Sequence, residues 1–496
     1  MDAQRGIARR MVIGLPPGGL APAWERDFSA YPPAGVIVFR RDFRDLDDLR
    51  RLTAHLRVLA RPRRLFLAID EEGGHVSQLA GHLVVPPNAL TLSRGAEPGD
   101  LEWIARVTGE RLRALGLDWV FAPVADIHSE PRNPVIGPRA YGTTPEAVAA
   151  HVAELLRGFA ASGIATCLKH FPGHGDTVTD SHLALPLNAH PHHVLERREF
   201  VPFRAHVGVP AMMTAHVVYS AIDPQQPATF SPAIAHDLLR DAMGFSGVTI
   251  TDALEMKGVA AGREPSDTAR LALQAGADLL LFAFHDEDLR RIRLDLARAL
   301  AAGTIDRENF DAARPRLEAF GRAHPEPTAL ELAKPLAVLT PSDWEPRLER
   351  IVRRALIVRG ALPAAASSGP WRVMNAGPDF IPPLAAELAA RGIVAAEDPQ
   401  EGGVPLAREL AAAGIPLGDL EPVAQVAVVA TRLALEPAKL EALKARCREL
   451  PTLVIGLQND EFLAEVPEAA VTLSASDATP LTRRVVARAL AEMRRT

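Results

Sequence analysis

The chain contains 496 residues and carries a formal net charge of −6, with 48% hydrophobic and 23% charged residues. This length exceeds what one ordinary hydrophobic core supports, so the sequence predicts two domains in a globular protein. The negative charge argues against a nucleic-acid partner and against attraction to an anionic membrane. The two cysteines, Cys167 and Cys447, are too few for a disulfide framework and lie in no metal-ligand spacing.

The amino-terminal residues contain no apolar segment followed by a small-residue cleavage site. No run approaches about 18 consecutive apolar residues, the length needed to cross a bilayer. We therefore expect a cytoplasmic chain without membrane insertion. No motif indicates a metal or an organic cofactor, and the sequence leaves the oligomeric state open.

Short β-branched segments alternate with longer amphipathic segments over roughly the first 300 residues. The predicted strands are 11–15, 35–39, 65–70, 119–123, 164–170, 211–217, 248–252 and 277–282, with helices such as 46–59, 145–162 and 287–302 between them. Eight strands alternating with helices predict a (β/α)8 TIM-type barrel. A doubly wound open sheet is the alternative, but the LPPGG turn after the first strand is a poor match to its Gly-rich phosphate turn.

A proline-bearing stretch then separates the barrel from a second pattern of strands and helices. The later strands are predicted at 355–360, 371–377, 424–432, 451–460 and 469–476, with a helix at 383–392. These elements predict a smaller α/β sandwich domain with a mostly parallel sheet. The predicted organisation is a catalytic barrel over 1–325, a linker over 326–345 and a carboxyl-terminal domain over 346–496, to which no role is assigned.

Five of the predicted barrel strands end in reactive side chains. These are Asp70 with Glu71 and Glu72, Asp126, Lys169 with His170, His216, and Asp252. Each alone is explained by a helix cap. Because the carboxyl ends of barrel strands converge, and burying so many charges without use is costly, the set predicts an active site at that end of the barrel.

The segment after the fifth strand, KHFPGHGDTVTDSH, begins at Lys169 and ends at His182. Asp180 and His182 are two residues apart, so in extended chain their side chains point to the same side. A carboxylate beside an imidazole fixes its tautomer and suits a group that gives and then takes a proton. A surface turn with a solvated histidine is the alternative. His174 within the same loop either contacts substrate or packs inside the loop.

This segment resembles the signature of the β-N-acetylglucosaminidase branch of glycoside hydrolase family 3. The segment GVTITDALEM resembles the family's seventh strand, whose catalytic aspartate corresponds to Asp252. IDEEGGHV and FAPVADI…IGPRAYG resemble its sugar-binding third and fourth strands, with Asp70 and Arg139 as sugar contacts. The resemblance extends from Met11 to about Gly303.

The resemblance implies a retaining exo-β-N-acetylglucosaminidase that removes terminal β-linked GlcNAc, with peptidoglycan fragments in the cytoplasm as its substrates. Asp252 would form a covalent glycosyl intermediate, and His182, oriented by Asp180, would protonate the leaving oxygen and then activate water. The residues implied to hold the sugar are Asp70, Arg139, Lys169 and His170.

Two positions depart from the family pattern, which commonly has arginine where this chain has His75 and often another where it has Gln78. Both departures bear on the sugar that is accepted. A family 3 β-glucosidase or β-xylosidase is an alternative that the intact DSH triplet argues against. Phosphorolysis is a second alternative, because a histidine acid/base avoids repelling an incoming phosphate. A sugar-binding protein without activity is a third, although every catalytic position holds the expected residue type.

Overall fold

A computed structural model of the chain describes residues 2–179, 184–283, 288–360, 371–375, 424–431, 437–449, 452–458 and 461–493. Asp180 and His182, the predicted acid/base pair, lie outside these ranges. The helix predicted at 383–392 lies outside them as well.

The eight strands predicted in the first part of the chain are all present and form a closed barrel. They are β1 (Met11–Ile13), β2 (Gly35–Val38), β3 (Phe66–Ile69), β4 (Trp119–Val120), β5 (Ala165–Phe171), β6 (Ala211–Thr214), β7 (Val248–Ala253) and β8 (Leu279–Phe282). Each strand pairs in parallel with the next in the chain. β1 also pairs in parallel with β8, with Met11 opposite Leu280. This last pairing closes the sheet, so the predicted (β/α)8 barrel is confirmed and the open sheet is wrong.

Helices cover the barrel and begin close to the predicted positions. The α-helices of the first part of the chain are Ala3–Ala8, Pro22–Ala30, Leu46–Ala60, Ala89–Gly95, Asp100–Ala114, Pro145–Ser162, His192–Arg197, Phe200–Ala205, Lys257–Ala260, Pro265–Gln274, Leu289–Ala301 and Arg307–Ala323. A π-helix spans Ala233–Ala242, and 3₁₀ turns span Arg40–Asp42, Gly137–Arg139 and Ala228–Phe230. In the parts of the chain that the structure describes, no helix is both long and apolar enough to cross a membrane.

Aromatic side chains fill the end of the barrel where the strands begin. Phe66 and Trp119, the first residues of β3 and β4, lie with ring centroids 6.0 Å apart. Phe320 of the helix Arg307–Ala323 packs against both rings, at centroid distances of 4.8 and 5.0 Å. Alternate strand residues point into the barrel, and their apolar side chains extend this aromatic group into a buried cluster inside the barrel. The polar side chains are therefore left to the opposite, carboxyl-terminal mouth.

In the described residues after 356, the chain forms a second sheet of five strands. Its strands are β9 (Ile357–Gly360), β10 (Trp371–Asn375), β11 (Ala424–Thr431), β12 (Thr452–Gln458) and β13 (Val471–Ser474), and their order in the sheet is β9-β13-β12-β11-β10. All neighbours are parallel except β9 and β13. The predicted mostly parallel sheet is thus confirmed. The associated helices are Pro437–Glu449, Pro480–Met493 and the 3₁₀ turn Glu461–Glu465.

In the sequence between the last barrel strand and the second sheet, three further elements lie against the barrel. They are Ala329–Leu332, the 3₁₀ turn Leu336–Leu339 and the longer helix Trp344–Ala355. Trp344 is fully buried, and its indole N–H donates to the carbonyl of Val84 at 2.7 Å. Arg347 on the same helix lies 2.7 Å from the Asp100 carboxylate. This helix therefore fixes the second sheet close to the 84–100 region of the barrel.

Candidate active site

The barrel brings the predicted site residues to one mouth. Asp70 follows β3 directly, Lys169 and His170 lie near the end of β5, and Asp252 is the penultimate residue of β7. Arg139 ends the 3₁₀ turn Gly137–Arg139. Since adjacent parallel strands end at the same side of the sheet, five of the seven predicted site residues share this region. The other two, Asp180 and His182, lie outside the described residues.

Lys169 is a buried cation held between two carboxylates. Its Nζ donates to Asp70 Oδ1 at 2.6 Å and lies 2.6 Å from Glu72 Oε1. Burial alone would lower the pKa of Lys169, but Asp70 and Glu72 raise it above its usual value. Lys169 is therefore charged at neutral pH. The side chains of Lys169 and Glu72 are only 3% and 5% exposed, whereas that of Asp70 is 23% exposed. Of these three residues, Asp70 is therefore the most accessible to a ligand.

Glu72 also binds Arg139 through two parallel hydrogen bonds. Arg139 Nε and Nη2 each donate to a Glu72 oxygen at 2.8 Å, the bidentate geometry that guanidinium and carboxylate favour. Burial opposes ionisation, yet Arg139 and Lys169 hold the pKa of Glu72 well below its usual value. Sequence reasoning assigned Glu72 no role. In an extended chain, residues two apart point to the same side, so Glu72 lies on the same side as Asp70. This spacing is the sequence signal that could have identified Glu72 as a site residue.

The neighbouring Glu71 faces the opposite way. Its carboxylate accepts hydrogen bonds from the Ser77 hydroxyl at 2.5 Å and from the backbone N–H groups of Gln78 and Leu79 at 2.9 and 3.2 Å. Burial raises the pKa of Glu71 to about 7. Glu71 therefore supports the fold of the 71–79 segment and lies outside the cluster around Lys169.

His170 is oriented by Asp126, which sequence reasoning noted only as a strand ending. The ring Nδ1 lies 2.6 Å from Asp126 Oδ2, while the other Asp126 oxygen accepts the backbone N–H of His174 at 2.6 Å. Burial would raise the pKa of Asp126, but His170 lowers it overall. With Nδ1 directed at a carboxylate, His170 turns Nε2 toward Arg139, whose Nη2 is 3.5 Å away.

Asp252 is a partly exposed carboxylate at the mouth. Its Oδ1 accepts the backbone N–H of Ala253 at 2.8 Å. Burial favours the neutral acid, but the nearby His216 and His170 outweigh it and lower the pKa of Asp252 below its usual value. His216 is itself fully buried, with Nε2 donating to the Ala253 carbonyl at 3.0 Å. Asp252 is therefore an ionised carboxylate at neutral pH.

The loop after β5 is packed against the barrel up to the limit of the described residues. His174 is 1% exposed and its Nδ1 lies 3.1 Å from the Thr177 hydroxyl, so of its two predicted roles the structure supports packing within the loop. The Asp176 carboxylate is bound by both Arg198 and His190. His190, just before the helix His192–Arg197, therefore contacts this loop through Asp176.

A parallel barrel with acids, paired cations and oriented histidines at its carboxyl-terminal mouth is an arrangement that a glycoside hydrolase can use. Residues 24–319, more than half of the chain, match the Glycosyl hydrolase family 3 N terminal domain. The chain belongs to glycoside hydrolase family 3, as its motifs predicted.

Similar proteins cover the barrel, and one of the similar structures described below covers nearly the whole chain. A beta-hexosaminidase of Chromobacterium violaceum is 38% identical over 296 residues, which are 58% of this chain and 82% of the relative. The structure of a family 3 beta-N-acetylglucosaminidase from Paenibacillus sp. str. FPU-7 superposes with a TM-score of 0.86 at 28% identity, covering 99% of this chain and 96% of the other. NagZ of Neisseria gonorrhoeae, solved in complex with N-trifluoroacetyl-D-glucosamine, gives 0.58 at 31% identity over 70% of this chain and 97% of its own.

Proposed function

We propose that the chain is a retaining exo-β-N-acetylglucosaminidase that hydrolyses terminal β-linked GlcNAc. The observation that carries the proposal is Asp252, a carboxylate with a depressed pKa at the penultimate position of β7, beside the cluster around Lys169. The names of the similar proteins, a beta-hexosaminidase and a beta-N-acetylglucosaminidase, support GlcNAc as the sugar. The complex of a relative with N-trifluoroacetyl-D-glucosamine gives the same support.

In this proposal Asp252 is the nucleophile. One carboxylate oxygen forms a bond to the anomeric carbon as the bond between that carbon and the leaving oxygen breaks, which gives a glycosyl ester with inverted configuration. Water then attacks the same carbon and releases Asp252, so the product regains the β configuration. An ionised carboxylate is required for the first step, and the depressed pKa of Asp252 supplies it at neutral pH.

His182, paired with Asp180, is proposed as the acid/base, a role that rests on the family resemblance of the DSH triplet. The imidazolium gives its proton to the leaving oxygen in the first step. The neutral imidazole then takes a proton from water in the second step. A neighbouring carboxylate stabilises the imidazolium and keeps the ring in one orientation through both steps.

The non-reducing sugar is proposed to bind Asp70, Arg139, Lys169 and His170. Sugar hydroxyls donate to a carboxylate and accept from a cation, so the Lys169–Asp70 pair offers both partners at one place. Charge within the cluster is balanced, because the cations Lys169 and Arg139 face the buried Glu72 and the more exposed Asp70. Because these side chains are fixed by one another, they hold the sugar ring in one position during the reaction. The anomeric carbon then stays in line with Asp252.

The proposed substrates are peptidoglycan-derived fragments with a terminal GlcNAc, and the proposed location is the cytoplasm. Both follow from the family resemblance of the motifs. Each is tested by feeding defined fragments to the purified enzyme and by fractionating cells that express it.

The activity is tested with the nitrophenyl β-glycosides of GlcNAc and of glucose, each with and without phosphate. We expect selective cleavage of the GlcNAc substrate and no acceleration by phosphate. Asp252→Asn should lower the rate by about 10³-fold or more, because the glycosyl ester cannot form. His182→Ala should lose less kcat/KM on this substrate, since nitrophenolate departs in the first step with little help from an acid, whereas kcat should fall because water is no longer activated in the second step. Asp237→Asn, an exposed acid of the nearby π-helix, is the matched control and should keep wild-type rates.

The covalent step is tested separately with a fluorinated N-acetylglucosaminyl fluoride that traps the intermediate. Mass spectrometry of proteolytic peptides should locate the added sugar on Asp252, and proton NMR should show the β anomer as the first product of the normal substrate. Preference for the glucoside, a rate that depends on phosphate, or label on another residue would each overturn the corresponding part of the proposal.

A further inference from the structure

The turn that follows Glu72 lies against the second domain. Gly74 and His75 connect the two strands of a short hairpin, Glu71–Gly73 and Val76–Ser77. A cavity of about 470 Å³ lies on one side of this turn, between the 80–85 segment and residues 477–481 of the second domain. Because this side of the turn faces open space, packing alone does not fix its position there.

Asn88 is the side chain that holds the turn from the other side. Its Oδ1 accepts the backbone N–H of His75 at 3.1 Å and the ring Nδ1–H of His75 at 2.8 Å. The backbone of Gly74, with φ of +56°, runs so close to Asn88 that a Cβ on it would lie 1.7 Å from Oδ1. Only glycine permits this approach. The turn is therefore shaped around the Asn88 amide.

Asn88 is in turn held by the second domain. Its backbone N–H donates to Asp477 Oδ1 at 3.0 Å, and its Nδ2 donates to the Ser476 carbonyl at 3.0 Å. Asp477 is fully buried, and its second oxygen accepts from Thr479 and Thr482. Asn88 itself is 2% exposed. Breaking any of these hydrogen bonds would leave a buried polar group without a partner. The network therefore favours a single position of Asn88.

We propose that Asn88 is a positioning residue through which the second domain fixes the Asp70–His75 segment, and with it the carboxylates that hold the sugar. The inference rests on the proposed function and gives a role to a domain that no motif explained. Glu72 lies in the first strand of the hairpin, and the pairing of Glu71 with Ser77 and of Gly73 with Val76 joins that strand to the turn. A displacement of the turn therefore carries Glu72 with it. Because Glu72 binds both Lys169 and Arg139, the displacement would spread to the whole cluster.

The helix that carries Asn88 offers a matched control. Thr91, one turn further along Ala89–Gly95, donates from its hydroxyl to the Ala475 carbonyl of the second domain at 2.6 Å. Thr91→Val removes a buried hydrogen bond from the same interface without touching the turn. Asn88→Ala keeps the backbone hydrogen bond to Asp477 but removes the side-chain contact with Ser476 and both contacts with His75 together. The two variants therefore separate loss of stability from loss of positioning.

We expect Asn88→Ala to raise KM for the nitrophenyl GlcNAc substrate by about tenfold with a smaller change in kcat, because ground-state sugar contacts are loosened. Thr91→Val should leave KM unchanged, even if it lowers the melting temperature as much as Asn88→Ala does. His75→Phe, which retains the backbone contact and loses the ring contact, should show part of the rise in KM. This milder variant keeps the test decisive if Asn88→Ala fails to fold.

The link to the second domain is tested with Asp477→Ala in the full chain. If Asn88 carries the effect, Asp477→Ala raises KM as well, and the Asn88→Ala/Asp477→Ala double variant is no worse than the more affected single variant. An unchanged KM in Asn88→Ala, an equal rise in Thr91→Val, or simple additivity in the double variant would overturn the inference. Failure of the proposed function is distinguished at once, because the wild-type enzyme would then lack the GlcNAc activity against which all variants are compared.

Discussion

Glu72 and Arg139 are joined by two hydrogen bonds of 2.8 Å each, and both side chains are almost completely buried. Lys169 lies 2.6 Å from the same Glu72 carboxylate. One buried anion thus compensates two buried cations, while Asp70 supplies the remaining negative charge from a more exposed position. Removing one partner from such a group leaves uncompensated charge in a low-dielectric environment, and this costs more than the pair contributes.

Glu72→Gln should therefore lower both stability and activity. Loss of the carboxylate leaves Lys169 and Arg139 facing each other, which should cost about 3 kcal/mol of unfolding free energy. The resulting shift of both cations should reduce kcat/KM for a GlcNAc glycoside by about 10²-fold. Urea unfolding and steady-state kinetics measure the two effects.

Glu71→Gln is the control for this substitution, since Glu71 is the adjacent buried acid and lies outside the cluster. Burial raises its pKa to about 7, so the neutral form is already populated near neutral pH. Glutamine reproduces that form, and kcat/KM should stay within about twofold of wild type. Equal losses in the two variants would mean that Glu72 acts on the fold of the segment and has no special place at the site.

His174 should make stability depend on pH in the acid range. Burial lowers its pKa to about 4 in the folded chain, whereas a free histidine titrates near 6.5. Between these values the unfolded chain binds the proton more strongly, so stability is lost as pH falls through this window. The full loss amounts to about 3 kcal/mol. Urea midpoints at about pH 7 and about pH 4.5 should differ less in His174→Asn than in wild type, whereas His193→Asn, at an exposed position, should leave the difference unchanged.

Much of the barrel could be predicted because its signals are local. Each strand is a short apolar run, and each polar side chain that follows a strand must lie at the carboxyl-terminal mouth once the sheet closes. Asp70, Lys169, His170 and Asp252 all follow this rule. The positions of these residues therefore followed from sequence order alone.

The pairings among those residues could not be predicted in the same way. Whether Asp126 turns toward His170, and whether Lys169 reaches Glu72, depends on the paths of loops between strands that are far apart in sequence. The contact between Asn88 and Asp477 joins residues separated by 389 positions. Its hydrogen bonds depend on how two domains pack, and no sequence period encodes that.

Gly175→Ala should damage the loop after β5 through a steric contact. A Cβ on Gly175 would lie 1.7 Å from the Ile127 carbonyl oxygen, far inside any normal contact, so the loop would have to move by more than about 1 Å. A shift of this size next to a reaction centre can cost about 10²-fold in kcat/KM. Gly208→Ala has no atom within 4 Å of the added methyl group and should be neutral in the same assay. A neutral Gly175→Ala would show that the loop adjusts freely.

Asp176→Asn should impair the acid/base step selectively. Asp176 is bound by Arg198 and His190 and lies four residues before Asp180 in the chain, so its ion pairs anchor the part of the loop that leads to the proposed acid/base. Asparagine keeps the size of the side chain but removes the charge that holds both partners. We expect kcat to fall by about tenfold on an alkyl GlcNAc glycoside, with KM little changed.

The leaving group distinguishes this effect from a general loss of folded enzyme. An alkoxide departs only when it is protonated, whereas nitrophenolate departs with little help, so kcat/KM for the nitrophenyl substrate, which reports the first step alone, should be much less affected by Asp176→Asn. Arg198→Lys retains a positive charge and should recover part of the alkyl-glycoside rate relative to Arg198→Ala. Equal losses of kcat/KM on both substrates would show that the Asp176 ion pairs serve stability alone, because unfolding removes both activities in proportion.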